Sequence, residues 1–138
     1  MTGTATNLAM AMALSSSEVN ASMGRIVACP TAGSCGILPA VILSAGVQLE
    51  LDEDELIKGL LAAAAVWMII GMNATLSGAD GGCQAECGSA SAMGAAAVVE
   101  MMGGTPKMSL DAGSIILQNV LGLVCDPVAG LVEIPSAK

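Results

Sequence analysis

Residues 52–73 read DEDELIKGLLAAAAVWMIIGMN, and this stretch decides the fold class. Its apolar residues run continuously rather than in alternation, which excludes a half-exposed strand. Four consecutive alanines favour helix over a buried strand. The carboxylates at 52–55 stand where they complement the positive end of a helix dipole, so a helix is expected at about 53–72 with Asp52 as its cap. The uninterrupted apolar part, Gly59 to Met72, has 14 residues. That is short of the roughly 18–20 a membrane-spanning helix needs. Lys58 and Asn73 close its ends and no aromatic belt flanks it, so a buried core helix is expected and no membrane role.

The same pattern extends in both directions. Residues 83–102, CQAECGSASAMGAAAVVEMM, form a second alanine-rich run ended by Gly103-Gly104. Thr105-Pro106 then restarts the chain as a cap followed by proline at the first helical position, opening a helix to about Val124. Upstream, Ile37 to Val47 reads as a helix with Pro39 in its first turn. Residues 1–23 are mixed, with Ser15-Ser16-Ser17-Glu18 as a helix-start signal. The expectation is an all-α fold, a compact helical domain with glycine-rich loops, in a single domain over residues 1–138. No internal repeat or linker divides it.

Composition narrows the chemistry. The chain has 138 residues, 54% of them apolar but 1% aromatic, so small side chains must build the core. Four basic residues against twelve acidic ones give a net charge of -8, which excludes phosphate-backbone binding and hence nucleic acid. The lack of histidine rules out a Ser-His-Asp triad, a Cys-His dyad and histidine-based zinc sites within this chain. Five cysteines, 29, 35, 83, 87 and 125, form an odd number, and the N-terminus has no basic region before its short apolar stretch. A reducing cytoplasm fits better than an oxidising compartment.

Three constellations could carry chemistry. Cys83 and Cys87 lie one helical turn apart after the loop Ser77-Gly78-Ala79-Asp80-Gly81-Gly82, and Cys125 opens another loop ahead of Asp126-Pro127. Thiols at such junctions can hold an iron–sulfur cluster, or can be small buried hydrophobes. Pro30-Thr31-Ala32-Gly33-Ser34-Cys35-Gly36 places hydroxyls, glycines and amides at a helix start, a cradle for a carboxylate or phosphate or an ordinary capped turn. Asn20 and Ser22, ahead of Arg25, could hydrogen-bond an amino acid or could be solvated surface.

Three longer stretches resemble a known family: SEVNASMGRIVACPTAGSCGILPA (residues 17–40), SGADGGCQAECGSASAMGAAA (77–97) and LGLVCDPVAGLVEIP (121–135). They resemble, in order, the α chain of the two-chain iron–sulfur-dependent L-serine dehydratases, or L-serine ammonia-lyases. The resemblance implies a lyase of amino-acid degradation and gluconeogenesis that converts L-serine to pyruvate and ammonia. It implies a [4Fe–4S] cluster acting as Lewis acid in place of pyridoxal phosphate, a β-chain partner and an oligomer. It also implies that this is a shortened α chain.

The family's ligand spacing is Cys-x41-Cys-x10-Cys. Cys83 and Cys125 match the first interval, and Ser136 occupies the third ligand position. A hydroxyl is a much poorer iron ligand than a thiolate, so Cys87 or Cys35 would have to substitute. Thr31, Gly33 and Ser34 would hold the substrate carboxylate, with Asn20 and Ser22 assisting. The catalytic base is not identifiable in this chain and is expected from elsewhere in the α chain or from the β chain. Two other readings share these residues: an inactive or incomplete helical fragment of the family, and an iron–sulfur module without lyase activity.

Overall fold

The computed structural model describes residues 3–122 and the backbone of two short strands, Pro127–Val128 and Leu131–Val132. Six helices follow in order: α1 (Thr4–Ala21), α2 (Ile37–Leu49), α3 (Glu53–Asn73), α4 (Gly78–Gly81), α5 (Cys83–Met101) and α6 (Pro106–Val120). The strands β1 (Pro127–Val128) and β2 (Leu131–Val132) pair antiparallel, and this two-residue ladder is the one piece of sheet among the described residues. The fold is all-α, as the alanine-rich runs require.

Helix α5 is the centre. Its buried residues are nearly all small, Gly88, Ser89, Ala90, Ala92, Gly94, Ala96 and Ala97, with Met93 and Met101 filling the remaining space. Helices α2, α3 and α6 all pack against it. Short side chains let their axes approach closely, which substitutes for the aromatic bulk this chain lacks. From α3, Gly59, Ala63 and Val66 face this core. A Cβ on Gly59 would stand 2.6 Å from Met101 Sδ, so that crossing tolerates no larger residue without movement. From α2, Leu38 and Ile42 complete the cluster.

Helix boundaries follow local chemistry. Asp52 accepts from the Glu55 amide at 2.9 Å, while the Glu55 side chain accepts from the Asp52 amide at 3.1 Å, a closed capping box. Thr105 caps α6 by accepting from the Met108 amide at 3.3 Å, with Pro106 in the first turn. The serine signal at 15–17 starts no helix. These residues lie inside α1, where the hydroxyls of Ser15 and Ser16 return to the Met12 carbonyl and that of Ser17 to the Ala13 carbonyl. A serine satisfied by the preceding turn no longer competes with the helix. The 73–82 loop contains the short turn α4, and α6 ends at Val120, earlier than expected.

The expectation that Gly59–Met72 is a buried core helix is corrected. Only Gly59, Ala63 and Val66 are buried on α3, while Leu61 is 65% exposed and Met72 81%. The helix has one wall to pack on, and its outer face, Leu60, Leu61, Trp67, Met68 and Met72, stays apolar without cover from the described residues. At 21 residues, with an 18-residue window of mean hydropathy 1.7, α3 is also long and apolar enough to cross a membrane by length and composition.

Close packing around α5 leads to a direct test. Ala97 is fully buried against α3. Ala97→Leu should therefore overpack the interface and destabilise the chain by about 1–3 kcal/mol, read as a lower denaturation midpoint in urea. An unchanged midpoint would show that the interface has room the structure does not.

Candidate functional site

The first turn of α5 is where two of the three sequence constellations meet, the thiols at 83 and 87 and the loop 30–36. Cys83 opens the helix, Glu86 follows one turn along, and the glycine-bearing loops 29–36 and 74–82 come against it. The connection is specific. Thr31 Oγ1 donates to Glu86 Oε2 at 2.6 Å, bridging positions 55 residues apart. The Thr31 and Ser34 hydroxyl oxygens lie 3.0 Å apart. A hydroxyl has one proton, so with Thr31 donating to Glu86, Ser34 is the donor of the pair. The Ser34 hydroxyl also accepts from the Thr31 amide at 3.4 Å and is 1% exposed.

Glu86 fits because two neighbours lack side chains. A Cβ on Gly33 would stand 2.8 Å from Glu86 Oε1, and one on Gly78 3.1 Å from the same oxygen. The half-buried carboxylate is thus held between two glycine backbones and a threonine hydroxyl. The sequence reading missed Glu86. Its signal was present: between Asp80 and Glu100 it is the single charged residue, set in a run of small ones.

The predicted site residues divide accordingly. Thr31, Gly33 and Ser34 are brought together, but around the protein's own carboxylate. As it stands, the Thr31 hydroxyl donates its hydrogen bond to Glu86 and offers a ligand only acceptor capacity. Ser34 is enclosed and positions Thr31 instead of meeting a ligand. The amides of Ala32 and Gly33, on the exposed tip of the loop, take no part in the turn's own hydrogen bonds, which run from Cys35 to the Ala32 carbonyl and from Ile37 to the Ser34 carbonyl. Asn20 reaches the same loop, donating from Nδ2 to the Ala32 carbonyl at 3.0 Å. Ser22 does not join them: its hydroxyl donates to the Glu18 carbonyl at 2.8 Å, within the last turn of α1.

The thiols divide too. Cys83 and Cys87 are half-buried on the first two turns of α5. Both carry a sulfur of the type that iron accepts as a ligand. Cys35 is buried, with its Sγ 4.0 Å from the Ser16 carbonyl of α1, and is a packing residue. Cys29 and Cys35 border an apolar groove of about 650 Å3 walled by residues such as Ile26, Leu38, Ile42 and Leu56. Among the described residues no three Cys, Asp or Glu side chains converge as a metal site. A closed ligand set therefore needs donors beyond them. Cys125 and Ser136 lie outside the described residues. The neighbouring strand β1 rests against α4, which ends two residues before Cys83.

Fold and site together define an all-α module that gathers hydroxyls, a carboxylate and thiols at the start of one buried helix. The family model for the serine dehydratase alpha chain matches residues 1–138, and the chain belongs to that family. It is 59% identical over 127 residues to the L-serine dehydratase alpha chain of Peptoniphilus asaccharolyticus, covering 92% of this chain and 44% of that one. It is 52% identical over 130 residues to the probable L-serine dehydratase alpha chain of Bacillus subtilis, covering 94% and 43%. To the L-serine dehydratase of Streptomyces coelicolor it is 46% identical over 124 residues, covering 89% and 27%. The chain thus spans less than half the length of these three relatives. No solved structure matches it.

Burial pushes the Cys29 thiol above its ordinary value, and the adjacent Cys35 adds to the rise. Cys29 should therefore alkylate more slowly than an unstructured cysteine at neutral pH and accelerate as the pH climbs past the ordinary thiol range. Peptide mapping after iodoacetamide treatment reads this directly, and rapid labelling at neutral pH would contradict it.

Proposed function

We propose that this chain supplies the substrate loop and a cluster ligand of a cytoplasmic L-serine dehydratase, which deaminates L-serine to pyruvate and ammonia together with a β-chain partner. The observation that carries the reading is the junction of loop 29–36 with the first turn of α5. There, residues of the two most family-like motifs meet through the Thr31–Glu86 hydrogen bond. The names of the relatives support the substrate and the two-chain organisation. The apolar outer face of α3 is consistent with further protein covering it, since exposed apolar patches of that kind mark interaction surfaces.

Cys83 would hold a [4Fe–4S] cluster, with Cys125 as second ligand and either Ser136 or Cys87 completing the set. When bound, the cluster would supply a Lewis-acidic iron for the serine hydroxyl. The residues of this chain prepare the substrate for that step. The exposed amides of Ala32 and Gly33 offer hydrogen bonds to its carboxylate. Thr31, seated on Ser34, fixes the loop against α5, and Asn20 anchors the Ala32 carbonyl from α1. The described lysines are poorly placed as bases: Lys58 is exposed on α3 and Lys107 pairs with Asp111 at 2.6 Å on α6. Neither described lysine is therefore the base that takes the α-proton.

Three substitutions test this reading in the anaerobically reconstituted complex with the β chain. Cys83→Ala should remove bound iron and sulfide, with activity lost as a consequence. Thr31→Ala should leave the cluster's visible absorbance intact and lower kcat/KM for L-serine by roughly 10- to 100-fold, the cost of one hydrogen bond to a charged group. Ser136→Cys should raise iron and sulfide per chain, because a thiolate is available near neutral pH and an alkoxide is not. Equal iron in parent and Ser136→Cys protein would assign the third ligand to another residue. A parent complex that binds no cluster and leaves L-serine unchanged would favour an inactive fragment.

A further inference from the structure

We propose that the Glu86 carboxylate is the counter-ion for the ammonium group of the amino-acid substrate, so that it sets the site's requirement for an amine. The proposal rests on the reading of loop 29–36 as the substrate loop. Glu86 is half-buried at the start of α5, with Thr31 as its hydroxyl donor at 2.6 Å. A half-buried carboxylate that accepts from one hydroxyl keeps capacity for a further donor, and an ammonium is the donor that also matches its charge. The chain has only four basic residues. Arg25 lines the apolar groove bordered by α2 and α3, Lys58 is exposed on α3, and Lys107 is bonded to Asp111 in the single ion pair among the described residues. Lys138 lies outside the described residues. None of the described cations is paired with Glu86.

The surroundings favour a small cation. Glycine at 33 and at 78 lets both backbones come up against Oε1, where a Cβ at either place would stand 2.8 and 3.1 Å from that oxygen, so any further partner of the carboxylate must be small. Gly33 also belongs to the exposed loop tip whose amides can receive a carboxylate. Donors for a carboxylate and an acceptor for an ammonium thus lie on either side of one glycine. A zwitterionic α-amino acid has that complementarity, whereas a plain hydroxy acid has only half of it. Thr31 would keep Glu86 turned toward this position.

The competing explanation is that Glu86 merely fastens the loop to α5. Glu86→Gln separates the two, because the amide oxygen still accepts from Thr31 but carries no charge. In the cluster-loaded holoenzyme, KM for L-serine should rise about 10- to 100-fold in Glu86→Gln, the size expected for losing a charged hydrogen bond. Cluster absorbance and helicity should not change. Inhibition by 3-hydroxypropionate, which is serine without its amine, should not weaken. Glu86→Asp, which keeps the charge, should recover part of the loss. If KM and the inhibition constant rise together, Glu86 is a loop fastener and the proposal is wrong. If neither moves while the parent turns over L-serine, Glu86 is outside the substrate site. A parent holoenzyme inert toward L-serine would instead overturn the dehydratase reading, and this proposal with it.

Discussion

Everything in this structure depends on the small-residue surface of α5. A chain with one tryptophan and no phenylalanine or tyrosine cannot fill a wide core, so it brings backbones together instead. Alanine and glycine on α5 let α2, α3 and α6 seat directly on it, and Gly59 shows how little room that leaves. Dense packing of this kind makes α5 a rigid post. Its first turn is therefore a fixed platform, and the site is built there.

The platform alone has no ligand-recognising shape. The shape comes from two loops pressed onto it, one on each side of Glu86. Thr31 ties the first by a hydrogen bond, Ser34 and Asn20 hold that loop from behind, and the glycine at 78 lets the second approach. Polar groups that would otherwise be satisfied by water are satisfied by one another, which fixes their directions before a ligand arrives. Preorganised contacts are what make such a site selective. The same logic explains why Ser22, though close in sequence, is not part of the site: its hydroxyl closes on its own helix.

Much of this was legible in the sequence. The Asp52 cap, the Thr105-Pro106 start and the alanine-rich runs place three helices nearly as observed, because they act through local backbone chemistry. Loop 29–36 was legible as a site from its hydroxyls and glycines. What escaped depends on neighbours distant along the chain. Ser15–Ser17 resemble a cap until the helix before them is known. An apolar run such as 59–72 states that a face wants burial, not whether a partner is there to bury it. Glu86, a lone charge in a run of small residues, gained its meaning when the fold brought Thr31 to it, and that contact gives the Thr31 hydroxyl the protein's own carboxylate as acceptor in place of a substrate's.

The central claim is that loop 29–36 and the start of α5 form one amino-acid site. Hydrogen–deuterium exchange of the assembled enzyme, with and without L-serine, tests it most directly. The account predicts added protection confined to peptides covering residues 29–36 and 77–87, with the outer face of α3 unchanged. Protection that leaves both of those segments unaffected and appears elsewhere would contradict it.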